Sequence, residues 1–238
     1  MYRVRNICVV ICIILLTGCT TVTTTNNQNS SSNISILTKR VLSNNGTSYE
    51  AIYNSNLQQI LLVIRHDYQN STDIKLFRES MPYFYQKLLK SGATSVPVTI
   101  TLKKPLSILE AEKFIKRYQL KVRGYHMRII GKDGKKKRFR GIPQKGILFP
   151  DSYKELLPSG NVIGIYNLYG DISIDQFPKL YKDPEVFVPD ITSAYAKQMF
   201  ENSHIYKEFI KEHKNVSLLV QNPDLYSKLE KFGMVKIP

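Results

Sequence analysis

The chain has 238 residues, a formal net charge of +15 and 42% hydrophobic side chains, among them 15 Tyr and 10 Phe. By length that is one domain, or a main domain with a satellite, and its apolar content suits a packed core and excludes a disordered polar protein. The three cysteines, Cys8, Cys12 and Cys19, all lie near the amino end, which excludes a disulfide framework, a thiol nucleophile and a cysteine metal site from the remainder.

Met1–Asn6 carries Arg3 and Arg5, Ile7–Leu16 is an unbroken apolar run, and small residues follow, which is the layout of a secretory signal. The run is too short for a spanning helix, which takes about 20 apolar residues. Its end, Leu16-Thr17-Gly18-Cys19, resembles the lipobox of bacterial lipoprotein signal peptides. The resemblance implies a diacylglyceryl group on the Cys19 thiol, cleavage after Gly18 and a mature protein that begins at Cys19. Two acyl chains, at about 0.8 kcal/mol per buried CH₂, hold a protein on a bilayer without spanning it. The implied place is the extracytoplasmic face of the cell membrane.

Thr20–Ser35 is Thr, Asn and Ser with little to bury, and reads as a flexible tether. With the lipidated cysteine it makes a segment over 19–47. Asn54–Tyr68 and Thr72–Leu89 then read as helices. Leu57, Ile60, Leu61 and Ile64 recur at helical spacing in the first, and Ile74, Phe77, Met81, Phe84, Tyr85 and Leu88 in the second. Asn70-Ser71-Thr72 supplies a cap between them, and Pro82 is expected to kink or restart the second. The pair predicts a helical hairpin over 48–95.

Val96–Leu102 alternates strictly and reads as a half-buried strand. Ser107-Ile108-Leu109-Glu110 is a capping box, and the helix it opens buries Ile108, Ala111, Phe114, Ile115 and Tyr118. Lys121–Ile130 is a second strand with Tyr125, Met127 and Ile129 on one face. A connection of about 30 residues follows, long enough to be functional or to hold its own structure. It contains the Lys132-Asp133-Gly134-Lys135 hairpin tip and a short helix near 151–157. Val162–Ile172 is a third strand, a helix carries Ile174, Phe177, Leu180 and Tyr181, and Val186–Ile191 is a fourth strand. Strand, helix, strand, insertion, strand, helix, strand is an order that resembles the ferredoxin-like fold. The predicted class is α+β, with a split βαβ core over about 96–191 and a basic insertion at 132–160. C-terminal helices follow: Ser193–Lys214, then, after a short strand at Val216–Val220, a last helix ending at Gly233.

Between Lys103 and Lys145 there are 15 basic and 3 acidic side chains, whereas the rest of the chain after Cys19 is nearly neutral. Charge concentrated this way predicts a basic face. Its densest part supplies the candidate contact residues Lys132, Lys135, Lys136, Lys137, Arg138 and Arg140, set to meet an anionic polymer, lipid headgroups or an acidic protein. Export removes nucleic acid as the expected partner. A solvated hairpin tip is the plain alternative.

His66, His126, His204 and His213 show no metal-ligand spacing and read as surface or packing residues. Asp171, Asp175 and Asp190 read as strand-end and capping groups. No nucleophile elbow, dinucleotide fingerprint or phosphate loop occurs, so no catalytic residue, metal or cofactor is predicted. The composite expectation is a membrane-anchored, non-enzymatic binding module. The alternatives are an extracytoplasmic hydrolase with its site between hairpin and sheet, and a structural subunit of an envelope complex.

Overall fold

Residues 47–66 alternate inward and outward with period two, and they form strands rather than helix. The structure, a computed structural model, describes residues 33–43, 46–151, 153, 160–222 and 224–235. The apolar run, Cys19 and the tether up to residue 32 lie outside the described residues, as does most of the helix expected at 151–157.

β1 (Ile34–Ser43), β2 (Thr47–Asn54) and β3 (Gln59–His66) form an antiparallel meander. The N-terminal helical hairpin is therefore not seen, and Ile34–Ser43, expected in the tether, is a strand. The error at 54–68 has a physical source. Ile60, Leu61 and Ile64 satisfy helical spacing, but Ile60, Leu62 and Ile64 equally satisfy alternation, and a short β-branched run cannot be resolved by period alone. Tertiary pairing decides it, because β3 has a strand on each side.

α1 (Ser71–Lys90) is the expected second helix, capped by Asn70, which accepts from the Thr72 and Asp73 amides. It continues through Pro82 as one helix, with Ile74, Phe77, Met81, Phe84 and Leu88 buried along one stripe on both sides of the proline. β4 (Ser95–Leu106), α2 (Ile108–Tyr118) and β5 (Lys121–Gly131) follow as read, and the Ser107–Glu110 capping box is formed in both directions. β6 (Lys136–Gly141) turns back on β5 through Gly134, whose φ of +69° suits glycine. β7 (Gly160–Ser173), α3 (Phe177–Lys182) and β8 (Val186–Asp190) complete the central run.

The single helix expected over 193–214 is two, α4 (Thr192–Glu201) and α5 (His204–Glu212). Ser203 breaks the run: its hydroxyl accepts from the Tyr206 amide and restarts a helix there. β9 (Ser217–Gln221) and α6 (Tyr226–Lys231) close the described chain.

The protein is α+β, with six helices among the described residues and two sheets. One sheet has the order β1-β2-β3-β9, with β9 parallel to β3, and the other has the order β6-β5-β7-β4-β8, antiparallel throughout. α4 joins their cores. Tyr195 stacks on Phe84 of α1 at 4.8 Å on one side, while Ala196 and Phe200 fill the inner face of the four-stranded sheet. No helix among the described residues is long and apolar enough to cross a membrane.

Candidate functional site

Alternation along β5 and β6 sorts their side chains into two sets. Tyr125, Met127 and Ile129 face the core with Phe139, and His126 and Arg128 face the other way with Arg138 and Arg140. That outer face, together with the end of β9 and the segment after it, borders a cleft of about 820 Å³, within the size range of small-molecule sites. Arg123, His126, Arg138, Arg140 and Tyr169 line it on one side, and Leu61, Leu219, Asn222 and Asp224 on the other.

Asp224 ties the two sides together. Its Oδ2 accepts from Arg138 Nη1 at 3.0 Å, and its Oδ1 accepts from Asn167 Nδ2 at 2.8 Å and from the Tyr226 amide at 3.0 Å. Arg128 pairs with Glu230 and lies over the Tyr166 ring, which itself packs on Tyr226 at 4.3 Å. These contacts fasten α6 to the outer face of the larger sheet. Arg123 pairs with Asp171 at 3.1 Å. Arg140 is exposed and has no ion-pair partner among the described residues. Among the described residues three guanidiniums thus face two carboxylates, and one positive charge at the cleft is uncompensated.

His126 sits at the centre of this arrangement, with its Nδ1 2.6 Å from the Tyr169 hydroxyl and 3.8 Å from Asp224. Burial pushes the imidazole down to about 4; Asp224 opposes this, and Arg138 and Arg140 reinforce it. The ring is neutral at pH 7, and so poorly matched to act as a general base there. Among the described residues no serine, threonine or cysteine hydrogen-bonds to it.

The lowered pKa sets a pH dependence. The unfolded state, with a histidine near 6.5, takes up a proton that the folded state refuses until about pH 4. Stability contributed by His126 is therefore complete above pH 6.5 and is lost as pH falls toward 4. Thermal unfolding at pH 7 and pH 4.5 should show this loss reduced by roughly 2 kcal/mol in His126→Gln. An unchanged slope would place the titration elsewhere.

A second polar cluster is closed off behind the cleft. His66 at the end of β3 and Asp190 at the end of β8 are 4% and 5% exposed and lie 3.9 Å apart. Asp190 accepts from the Thr192 amide at 2.8 Å and from Asn222 Nδ2 at 2.7 Å. His66 stacks on Tyr68 at 5.1 Å and lies 4.6 Å from Phe77, and burial lowers its pKa also. This cluster joins β3, β8, α4 and the chain after β9, and its groups serve the fold.

The predicted contact residues divide. Lys132, Lys135, Lys136 and Lys137 stay exposed at the hairpin tip, with Lys137 3.8 Å from Asp133, whereas Arg138 and Arg140 reach the cleft. Cys19 lies outside the described residues. Asp190 caps α4 through Thr192, and His204 and His213 are local, His204 beside Glu208 and His213 stacked on Phe209. His126, Arg123, Tyr169 and Asp224 are the site residues that sequence reasoning missed. The alternation around Tyr125 and Met127 already turns His126 away from the core; nothing local signals Tyr169, which comes from β7, or Asp224, which comes from the segment between β9 and α6. The site expected between a helical hairpin and the sheet has no hairpin to border it.

Among known proteins, no family model, no curated protein and no solved structure matches this chain.

Proposed function

We propose that this chain is a lipid-anchored, extracytoplasmic binding protein that takes an anionic group in the cleft at the foot of the β5–β6 hairpin. The observation that carries the reading is Arg140, which has no ion-pair partner among the described residues, set beside Arg123 and Arg138 in one cleft. The Leu16-Thr17-Gly18-Cys19 motif supports the anchor and the location, with Cys19 as the acylated residue and the membrane as first partner. The exposed lysines 132, 135, 136 and 137 add a long-range attraction that brings an anionic surface, polymer or acidic protein toward the cleft. The order β5-β7-β4-β8 with α2 and α3 as crossovers supports a ferredoxin-like reading of residues 96–191. That fold hosts many activities, so the argument for function rests on the cleft.

The test uses the full chain with polyphosphate and with phosphatidylglycerol vesicles at low and high salt. A basic side chain near an anionic surface contributes about 1 kcal/mol, so Arg140→Gln should weaken binding about fivefold. Lys135→Gln/Lys136→Gln/Lys137→Gln should flatten the salt dependence. Arg138 is left intact because it also holds Asp224. Unchanged binding in both variants sinks the reading, and mass spectrometry that finds Cys19 unmodified in membrane-purified protein removes the anchor.

One observation favours a second reading, an extracytoplasmic hydrolase: Tyr169, His126 and Asp224 converge in one cleft. Turnover of an ester or phosphoester, abolished in His126→Gln, would favour it over simple binding.

A further inference from the structure

The outer face of the four-stranded sheet carries one apolar row that crosses every strand. Ile36 on β1 is opposite Ile52 on β2, Ile52 is opposite Leu61 on β3, and Leu61 is opposite Leu219 on β9. Residues directly opposite one another project from the same face, so the four side chains stand in line. Ile36 is 63% exposed and Leu219 50%. The inner face is filled by Ala196, Phe200 and their neighbours, so this row is not needed to close the core. On one flank it is bordered by Asn54, Gln59 and Ser217, all uncharged.

The row does not end in open solvent. Leu61 and Leu219 line the same cleft as Arg123 and Arg140. An apolar track therefore runs into a cationic seat, and the two belong to different sheets that meet at β9 and the segment after it. Three strand spacings give the track a length of about 14 Å. One leaflet of a bilayer, half of an about 30 Å hydrocarbon core, has an acyl layer of almost the same depth.

We propose that the cleft and the row together hold one anionic amphiphile, with its phosphate or carboxylate head at Arg140 and Arg123 and its acyl chain laid across Leu219, Leu61, Ile52 and Ile36. This rests on the anion-binding reading above and adds the ligand class. The charge complementarity is specific to one end. The guanidiniums lie at the β9 end of the row, and β1, at the other end, is the edge strand of the sheet among the described residues. The tip lysines steer the head toward the cleft, and the neutral His126 leaves the seat's charge to the arginines. The chain gains burial only if the head is seated, which gives selectivity for anionic over neutral amphiphiles.

The experiment uses the full chain carrying Cys19→Ser, so that no acyl group of its own competes. Three probes are titrated calorimetrically: dodecyl phosphate below its micelle concentration, inorganic phosphate and the neutral dodecyl maltoside. Dodecyl phosphate is expected to bind at least tenfold more tightly than either of the others. Ile36→Ser/Ile52→Ser, at two positions that the core does not use and that lie outside the cleft lining, should lower dodecyl phosphate affinity about tenfold and leave phosphate affinity unchanged. Circular dichroism confirms that the variant is folded. Arg140→Gln should weaken dodecyl phosphate binding about fivefold and so narrow its margin over the maltoside.

If inorganic phosphate binds as tightly as dodecyl phosphate, the amphiphile is overturned and the anion seat stands. If the maltoside binds as tightly as dodecyl phosphate, the paired head and chain are overturned. Binding to anionic vesicles without binding to the monomer overturns a single held molecule in favour of a membrane-surface contact. No binding of any probe overturns both this inference and the function on which it rests.

Discussion

Asp190→Ala is expected to lower unfolding free energy by about 3–5 kcal/mol, although the residue touches no cleft surface. The carboxylate is buried, with one oxygen accepting from the Thr192 amide that opens α4 and the other accepting from the Asn222 side chain. The Thr192 amide left buried and unsatisfied costs about 1–3 kcal/mol, Asn222 loses the shorter of its two hydrogen bonds and keeps only Thr99 at 3.4 Å, and a small cavity is added. Asp190→Asn keeps an acceptor for one of the two donors and should lose less than half as much. Urea denaturation of the three proteins checks the order. Equal stability of wild type and Asp190→Ala would mean that water replaces the carboxylate without cost. The role expected of this residue from sequence, a cap at a strand end, is the one the structure shows. What was out of view is that the cap also gathers His66 from β3 and Asn222 from beyond β9.

Phe200→Ala is expected to cost a similar amount, about 3–5 kcal/mol, by a different route. Phe200 is fully buried, lies 6.3 Å from the Tyr49 ring in an edge-to-face arrangement and 5.1 Å from Tyr206. It is the largest side chain that α4 presents to the inner face of the four-stranded sheet. The other side of α4 packs through Tyr195 on α1, so the loss should not be shared equally between the two cores. Hydrogen exchange should quicken first in β1, β2 and β3, with β5 and β7 protected until global unfolding. Uniform acceleration in both sheets would show that they open as one cooperative unit, and the two-core description would fail. The proposed ligand row lies on the sheet that Phe200 holds in place.

The legibility of the fold varied along the chain for identifiable reasons. From Val96 to Ile191 the first strand has strict alternation and the helices a cap or an amphipathic stripe, so most of the element order is legible locally; β6 is the exception, because its residues read as part of a basic insertion and become a strand only by pairing with β5. The Ser107–Glu110 capping box and the Asp133-Gly134 turn are local chemistry and were readable for that reason. Before residue 68 the reading failed. β1 carries few inward apolar side chains, and the run from Gln59 to His66 fits two periods at once. The break at Ser203 was missed because a serine inside an amphipathic pattern signals a new cap only when the following amides are free to use it.

Of the candidate site, the basic density around residues 132–140 was visible as composition, and its division into tip and cleft was not. Alternation alone places Arg138 and Arg140 opposite Phe139, yet it cannot tell what lies across from them. Asp224, 86 residues away from Arg138 in sequence, supplies that information through a contact no local pattern encodes. The apolar row has the same character: Ile36, Ile52, Leu61 and Leu219 are unremarkable singly and become a feature only through strand register.

By itself, then, the sequence determined the α+β composition, the strand and helix order of the central region, the basic hairpin and the motif at Cys19. These rest on side-chain period, capping and turn chemistry, which act within a few residues. Only the tertiary structure decided that Ile34–Ser43, Thr47–Asn54 and Gln59–His66 are strands, that β9 joins them and that two sheet faces meet at a cationic cleft. Those outcomes depend on which distant strands supply each other's hydrogen bonds and cover each other's apolar faces, and that is settled when the whole chain packs.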